Sequence, residues 1–263
     1  MTTRARRSCL AVPASSRRLL AKAATLDADE VVVDLEDGVA VADKETARAN
    51  LPEARARGTL AVRINKGSLA DLEAARAVAD VIVLPKVESA DEVAAVAAHT
   101  DLPLEAQIET ARGLVAVEAI AAAPQLEALV FGPGDFAASL GVPVLTIGAA
   151  ASEYALARIA VAARAFGLQA VDGPHAALDD LAALRATAER ALALGYDGKW
   201  AIHPAQLETL HDVFTPSAEE IERAERILAT DGAVRLDGEM VDEATKRLAE
   251  GVLARAAGHD DPR

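Results

Sequence analysis

Aromatic side chains are scarce in this chain: one Trp, two Tyr and four Phe make up 3% of 263 residues. A core built from them is excluded, so the interior must be packed with Ala, Val, Leu and Ile, in keeping with a hydrophobic content of 52%. Cysteine is scarcer still. Cys9 stands alone, which excludes an intrachain disulfide and any Cys-rich metal site. Its place in an apolar run marks it as a small buried hydrophobe. No uninterrupted apolar stretch reaches the ~18 residues that a membrane span needs. The basic opening, MTTRARRSCLAVPASSRR, lacks the apolar segment of a signal peptide, so a cytoplasmic protein is expected. Positive charge is also in short supply: 27 Lys and Arg face 41 Asp and Glu, a net charge of −14. Nucleic acid, which requires a cationic footprint, is excluded as a partner. An anionic ligand would need local cations or a metal to offset the field. Neither GxGxxG nor GxxxxGK(S/T) occurs, so no phosphate-cradling glycine loop is recognisable.

What the chain does have is eight short apolar runs: Ser8–Pro13, Glu30–Asp37, Leu60–Asn65, Val81–Lys86, Leu104–Thr110, Ala128–Asp135, Gln169–Pro174 and Gly198–Pro204. Short Val/Ile/Leu runs without polar alternation are the pattern of strands buried on both faces. Most end in a charged residue, Pro or Gly, and Ala-rich segments with helical spacing lie between them. Eight such strands alternating with helices predict an α/β fold, a (β/α)8 TIM barrel over residues 1–214. Asp43 and Asp71 are expected N-caps, and Gly167 and Gly195 fit the ends of helices. Pro143–Ala151 reads as a loop leading into a helix over Ser152–Phe166. Residues 215–263 read as a C-terminal helical arm. Ser217 and Glu220 form a capping box for a helix to about Ala229. A Gly-containing stretch, Asp231–Glu239, and a last helix over about Val241–Ala257 follow, with Gly258–Arg263 expected to be disordered.

Polar residues cluster at the carboxyl ends of the runs, the face where such barrels carry their chemistry. Glu109 and Asp135 end runs five and six. Adjacent barrel strands lie ~4.8 Å apart, so the two carboxylates can converge. Two carboxylates with waters and a substrate oxygen make a Mg2+ site. The other reading is that each pairs with a neighbouring Lys or Arg. Arg63, in VRIN, suits bidentate binding of a carboxylate or carbonyl, or a structural pair with Glu36 or Asp37. By alternation Asp34 and Glu36 point one way and Asp37 the other. Lys86 reads as structural, neutralising some of this acidity. His203 reads as hydrogen-bonded to structure rather than as a general base. His99, His175, His211 and His259 show no partner spacing. Arg17, Arg18, Lys22 and Lys44 are candidate phosphate contacts, or solvated helix faces.

These residues, in this order, resemble the citrate lyase beta-subunit and malyl-CoA lyase family of CoA-ester carbon–carbon lyases. VVVDLEDGV with Lys44 downstream, VRIN, VLPKVES, IETARGL, FGPGDFAASLG, SEYALAR, AVDGP, GKWAIHPAQL, FTPSAEEIERA and GEMVDEA carry the resemblance, which spans residues 7–257. It implies that Glu109 and Asp135 bind Mg2+ and that Arg63 binds a CoA-ester substrate, with Glu36, Asp37 and Lys44 also on the substrate side. It implies an arm reaching over a neighbouring active site in a homotrimer or homohexamer, with Asp242 as acid/base. The implied reaction is a retro-Claisen cleavage of a 3-hydroxyacyl-CoA acid to acetyl-CoA and a 2-keto acid. The residues alone leave Asp242 open as an ordinary N-cap of the last helix. Three other functions remain open: a citryl-CoA lyase, a metal-dependent aldolase of free keto acids, and a non-catalytic scaffold.

Overall fold

The computed structural model describes residues 4–142 and 150–257. The loop expected at Pro143–Ala151 falls mostly outside these residues, and the expected disorder of Gly258–Arg263 lies wholly outside them. Eight parallel strands close into a barrel in chain order. They are β1 (Ser8–Pro13), β2 (Glu30–Asp34), β3 (Thr59–Arg63), β4 (Val81–Leu84), β5 (Leu104–Ile108), β6 (Leu126–Phe131), β7 (Gln169–Asp172) and β8 (Gly198–Ala201). β1 closes the ring on β8 through Ser8↔Lys199, Cys9↔Trp200 and Leu10↔Ala201. This is the TIM barrel.

Two apolar layers hold it. Val31, Val33, Ile82, Leu104, Leu129 and their neighbours face the helices in one large core. Cys9, Val32, Ala61, Val81, Val83, Ala128, Val130, Val171 and Trp200 fill the barrel interior. Both strand faces are therefore apolar, which is why the runs lack alternation. Each fully buried Val or Leu contributes about 1.5–3 kcal/mol over an exposed one.

The strands stop short of the runs that announced them. Residues 35–37, 64–65, 85–86, 109–110, 173–174 and 202–204 lie beyond the carboxyl ends, as loop or as the first residues of a short helical turn. β6 begins earlier, at Leu126, and Asp135 sits not on the strand but in the first turn of the helix Pro133–Ser139. The helix expected over Ser152–Phe166 spans Ala150–Ala165. Asp71 is not an N-cap. Ser68 caps that helix, and Asp71, fully buried, accepts bonds from the backbone and side-chain nitrogens of Asn65 and from Arg48. Asp43 precedes its helix without a side-chain cap bond.

The floor of the barrel is ionic. Arg6, 2% exposed, donates to Glu105 at 2.6 Å, Glu127 at 2.9 Å, Glu30 at 3.2 Å and to Gln169. Burial, reinforced by facing Glu105, pushes the Glu30 carboxyl well above its ordinary value.

Beyond the barrel, Ser217 and Glu220 form the capping box of the helix Ala218–Leu228, as its sequence predicts. The stretch read as Gly-containing is a hairpin, β9 (Val234–Leu236) with β10 (Glu239–Val241). Asp237 and Gly238, at φ 50° and 90°, make its turn. This is the Asp-Gly signature of a two-residue hairpin loop. The last helix runs over Glu243–Ala257. Ala224, Ile227, Val241 and Ala249 form a small core within the arm. Among the described residues the ion pairs of the arm's helices and hairpin are internal, such as Arg223–Glu239 and Arg226–Asp237. No described helix is long and apolar enough to cross a membrane.

Candidate active site

At the carboxyl ends of the strands lies a cavity of about 350 Å³, lined by Asp34, Asp37, Arg63, Gln107, Glu109, Gly132, Asp135 and Trp200 among others. Arg63 ends β3 and points inward. Its Nε and Nη2 form a fork with Asp34, at 2.7 and 2.6 Å, while Nη1 meets Gln107 at 3.3 Å and Glu36 at 3.4 Å. The guanidinium lies over the Trp200 ring, 5.4 Å from its centroid. Asp34 is itself fixed by the backbone N–H groups of Glu36 and Gly38, both at 2.8 Å. The partner of Arg63 is thus chiefly Asp34, with Glu36 secondary; Asp37 bonds Lys86 instead. A bidentate pair held this way sets the guanidinium in one orientation before a ligand arrives. Burial opposes the charge on Arg63, but Asp34 outweighs it and keeps its pKa raised.

Glu109, 3% exposed, follows β5 and accepts the Lys86 N–H at 2.7 Å. A methyl group on Gly132 would overlap its carboxylate. Glycine at that position is what lets the carboxylate lie against the backbone after β6. Burial, together with the charge of Asp135, pushes the Glu109 pKa up to about 7. The two carboxylates therefore sense one another across the cavity. Among the described residues no cluster of three or more His, Cys, Asp or Glu is arranged to hold a metal. The protein would supply two hard oxygen donors, leaving the other positions to water and ligand oxygens, as Mg2+ prefers. The donor set and the space left by Gly132 fit such an ion.

A cation binding at Glu109 must displace its proton below pH 7. Apparent Mg2+ affinity is expected to fall roughly tenfold per pH unit on the acid side of about 7 and to level off above it. Isothermal titration across that range measures this, and a flat profile would contradict it.

Lys44 gives its ammonium to the carbonyls of Leu35 and Glu36, both at 2.6 Å, and to Asn65 Oδ1 at 2.8 Å. It buttresses the loop that carries Glu36 and Asp37. Arg17, Arg18 and Lys22 are exposed on the helix after β1, with Arg17 bonded to Asn50. His203 Nδ1 accepts the Ala205 N–H, a structural bond. His211 has a partner that its spacing did not suggest, Ser8 Oγ at 2.7 Å. Asp242 caps the last helix, accepting the N–H groups of Ala244 and Thr245 through Oδ1. Those bonds lower its pKa. No described arm residue lines the cavity of its own chain. Gln107 and Trp200 were missed by the sequence reading. Their signal is register, since Gln107 stands two residues before Glu109 and Trp200 pairs with inward-facing Cys9.

Residues 7–204 match the HpcH/HpaI aldolase/citrate lyase family. The chain belongs to that family. Among relatives of this HpcH/HpaI aldolase/citrate lyase member, a (3S)-malyl-CoA thioesterase of Cereibacter sphaeroides is 41% identical over 95% of this chain and 94% of its own. An L-malyl-CoA/beta-methylmalyl-CoA lyase of the same species is 36% identical over 93% and 92%. The crystal structure of protein CitE from Mycobacterium tuberculosis with magnesium, acetoacetate and coenzyme A superposes with a TM-score of 0.84. It is 36% identical and covers 95% of this chain and 97% of that one. The family match ends before the arm, whereas the malyl-CoA relatives extend over nearly the whole chain.

Proposed function

We propose that this protein is a Mg2+-dependent carbon–carbon lyase acting on a 3-hydroxyacyl-CoA acid of the malyl-CoA type, giving acetyl-CoA and a 2-keto acid, or the reverse. The observation that carries this reading is the meeting of Glu109, Asp135 and a pre-set Arg63 in one cavity. The names of the relatives and the magnesium and coenzyme A in the CitE crystal support it. Held by Glu109 and Asp135, Mg2+ supplies Lewis-acid polarisation of the substrate oxygens. Arg63, immobilised by Asp34 and Trp200, holds negative oxygen at the thioester or the keto acid without having to reorganise. Asp242 of a neighbouring subunit moves the proton at the acetyl carbon. On this reading the protein works as a homotrimer or homohexamer. Arg17, Arg18 and Lys22, exposed beside the end of β1, meet the CoA phosphates.

A second reading, thioester hydrolysis, is favoured by the 41% identical thioesterase. Products separate the two. Malyl-CoA, citramalyl-CoA and citryl-CoA are each incubated with Mg2+ or with EDTA, and keto acid, acetyl-CoA and free CoA are quantified. Keto acid with acetyl-CoA, lost in EDTA, is expected. Free CoA without keto acid would mean a thioesterase. No turnover of any ester would overturn the CoA assignment in favour of an aldolase of free keto acids.

A further inference from the structure

Lys86 follows β4 with φ at 51°, a left-handed conformation that lysine seldom adopts. Through it one residue contacts four carboxylates. Its backbone N–H bonds Glu109 at 2.7 Å, and its ammonium meets Glu36, Asp37 at 2.6 Å and Asp135 at 3.6 Å. Arg63, the cation that lines the cavity, is committed to Asp34, and among the described residues the ion-pair partner of Asp135 is Lys86, beside the cavity. A fixed ammonium beside a metal-binding carboxylate has two effects on a divalent ion. It repels the ion, and it shares the oxygens the ion needs. The strained backbone indicates that this placement is imposed by the surroundings rather than by local preference.

We propose that Lys86 sets the metal affinity: its ammonium competes with a divalent cation for Asp135 and keeps that cation weakly held until an acid substrate adds its own carboxylate. Metal and substrate then bind interdependently, each tightening the other. This rests on the reading of Glu109 and Asp135 as the metal pair. Lys86 is a positioning residue, acting on the reaction only through Asp135 and the metal.

The test measures Mn2+ binding by electron paramagnetic resonance, with and without pyruvate as the acid probe. It compares wild type, Lys86→Met, Lys86→Arg and Lys86→Asn. Asn removes the charge and tolerates positive φ, so it covers the case in which Met fails to fold. Mn2+ alone is expected to bind about tenfold or more tighter to the Met and Asn variants, because a nearby positive charge is gone. Pyruvate should then tighten Mn2+ less than it does in wild type. Arg, which keeps the charge, should restore wild-type affinity and coupling. Unchanged or weaker Mn2+ binding in the neutral variants overturns the proposal and leaves Lys86 a structural ion pair. Mn2+ binding equally to wild type and Glu109→Gln removes the metal pair itself, a distinct failure that takes the proposal with it.

Discussion

Asp242→Asn and Glu109→Gln proteins, each inactive alone, are expected to recover about a quarter of wild-type turnover when their subunits are mixed in equal amounts. The expectation follows from the arm. In its own chain Asp242 caps the helix Glu243–Ala257 and lies outside the cavity that holds Glu109. If Asp242 serves a neighbour, a working site needs an intact Glu109 on one subunit and an intact Asp242 on the next. Random mixing satisfies both conditions in about one site in four. Loss of a positioned acid/base alone costs about 10²–10⁴ in rate, so the recovered activity stands far above either parent. Asn is chosen because it remains a good cap, whereas Ala would cost about 1 kcal/mol of helix stability and blur the result. The mixture is assayed after subunit exchange, with mixed oligomers verified by differently tagged chains. A mixture as inactive as its parts would show that each arm serves its own barrel, and an Asp242→Asn protein that keeps its turnover would show that Asp242 is only a cap.

The largest loss of stability is expected from Arg6→Met, about 3–5 kcal/mol, because it removes the cation from a buried cluster of acids. Glu30 and Glu105 are fully buried, and each has one oxygen without a partner even with Arg6 in place. For a chain of this size that loss lowers the melting temperature by about 10 °C. Arg6→Met combined with Glu105→Met should regain part of it, since an apolar floor leaves fewer stranded charges. The sign of the pH dependence follows from Glu30. Its raised pKa means a stabilising contribution present below its ordinary value and lost as pH rises through the folded one. Arg6→Met should therefore be least tolerated at high pH. Urea unfolding of the three proteins measures this. A change within about 1 kcal/mol for Arg6→Met would mean that water or a protonated Glu30 already relieves the cluster.

The barrel was legible because strands buried on both faces write themselves as unbroken apolar runs, and chemistry collects where those runs end. Glu109, Asp135 and Arg63 were found for that reason, and they do meet in one cavity. Asp34 was seen, but its role passed to its neighbours, because alternation ranks it with Glu36 and cannot say which one faces Arg63. Asp71 was misplaced because a buried carboxylate at the third helical position looks, in sequence, like a cap. The Arg6 floor was not legible at all. Its partners Glu30, Glu105, Glu127 and Gln169 come from four strands, and only closure of the ring brings them together. The hairpin at Asp237-Gly238 did carry a sequence signal, masked by the brevity of its strands.

That floor also sets the order in which the protein can be completed as it is made. β1 is the first strand to leave the ribosome, yet its ring-closing partner β8 is encoded nearly two hundred residues later. At bacterial or eukaryotic rates of synthesis the interval is roughly 10–40 s. Arg6 lacks its full set of acids until Glu127, 121 residues on, has been made, and one edge of the growing sheet stays open until β8 follows. The nascent barrel must therefore be sheltered, or intrinsically slow to aggregate, until the last strand arrives.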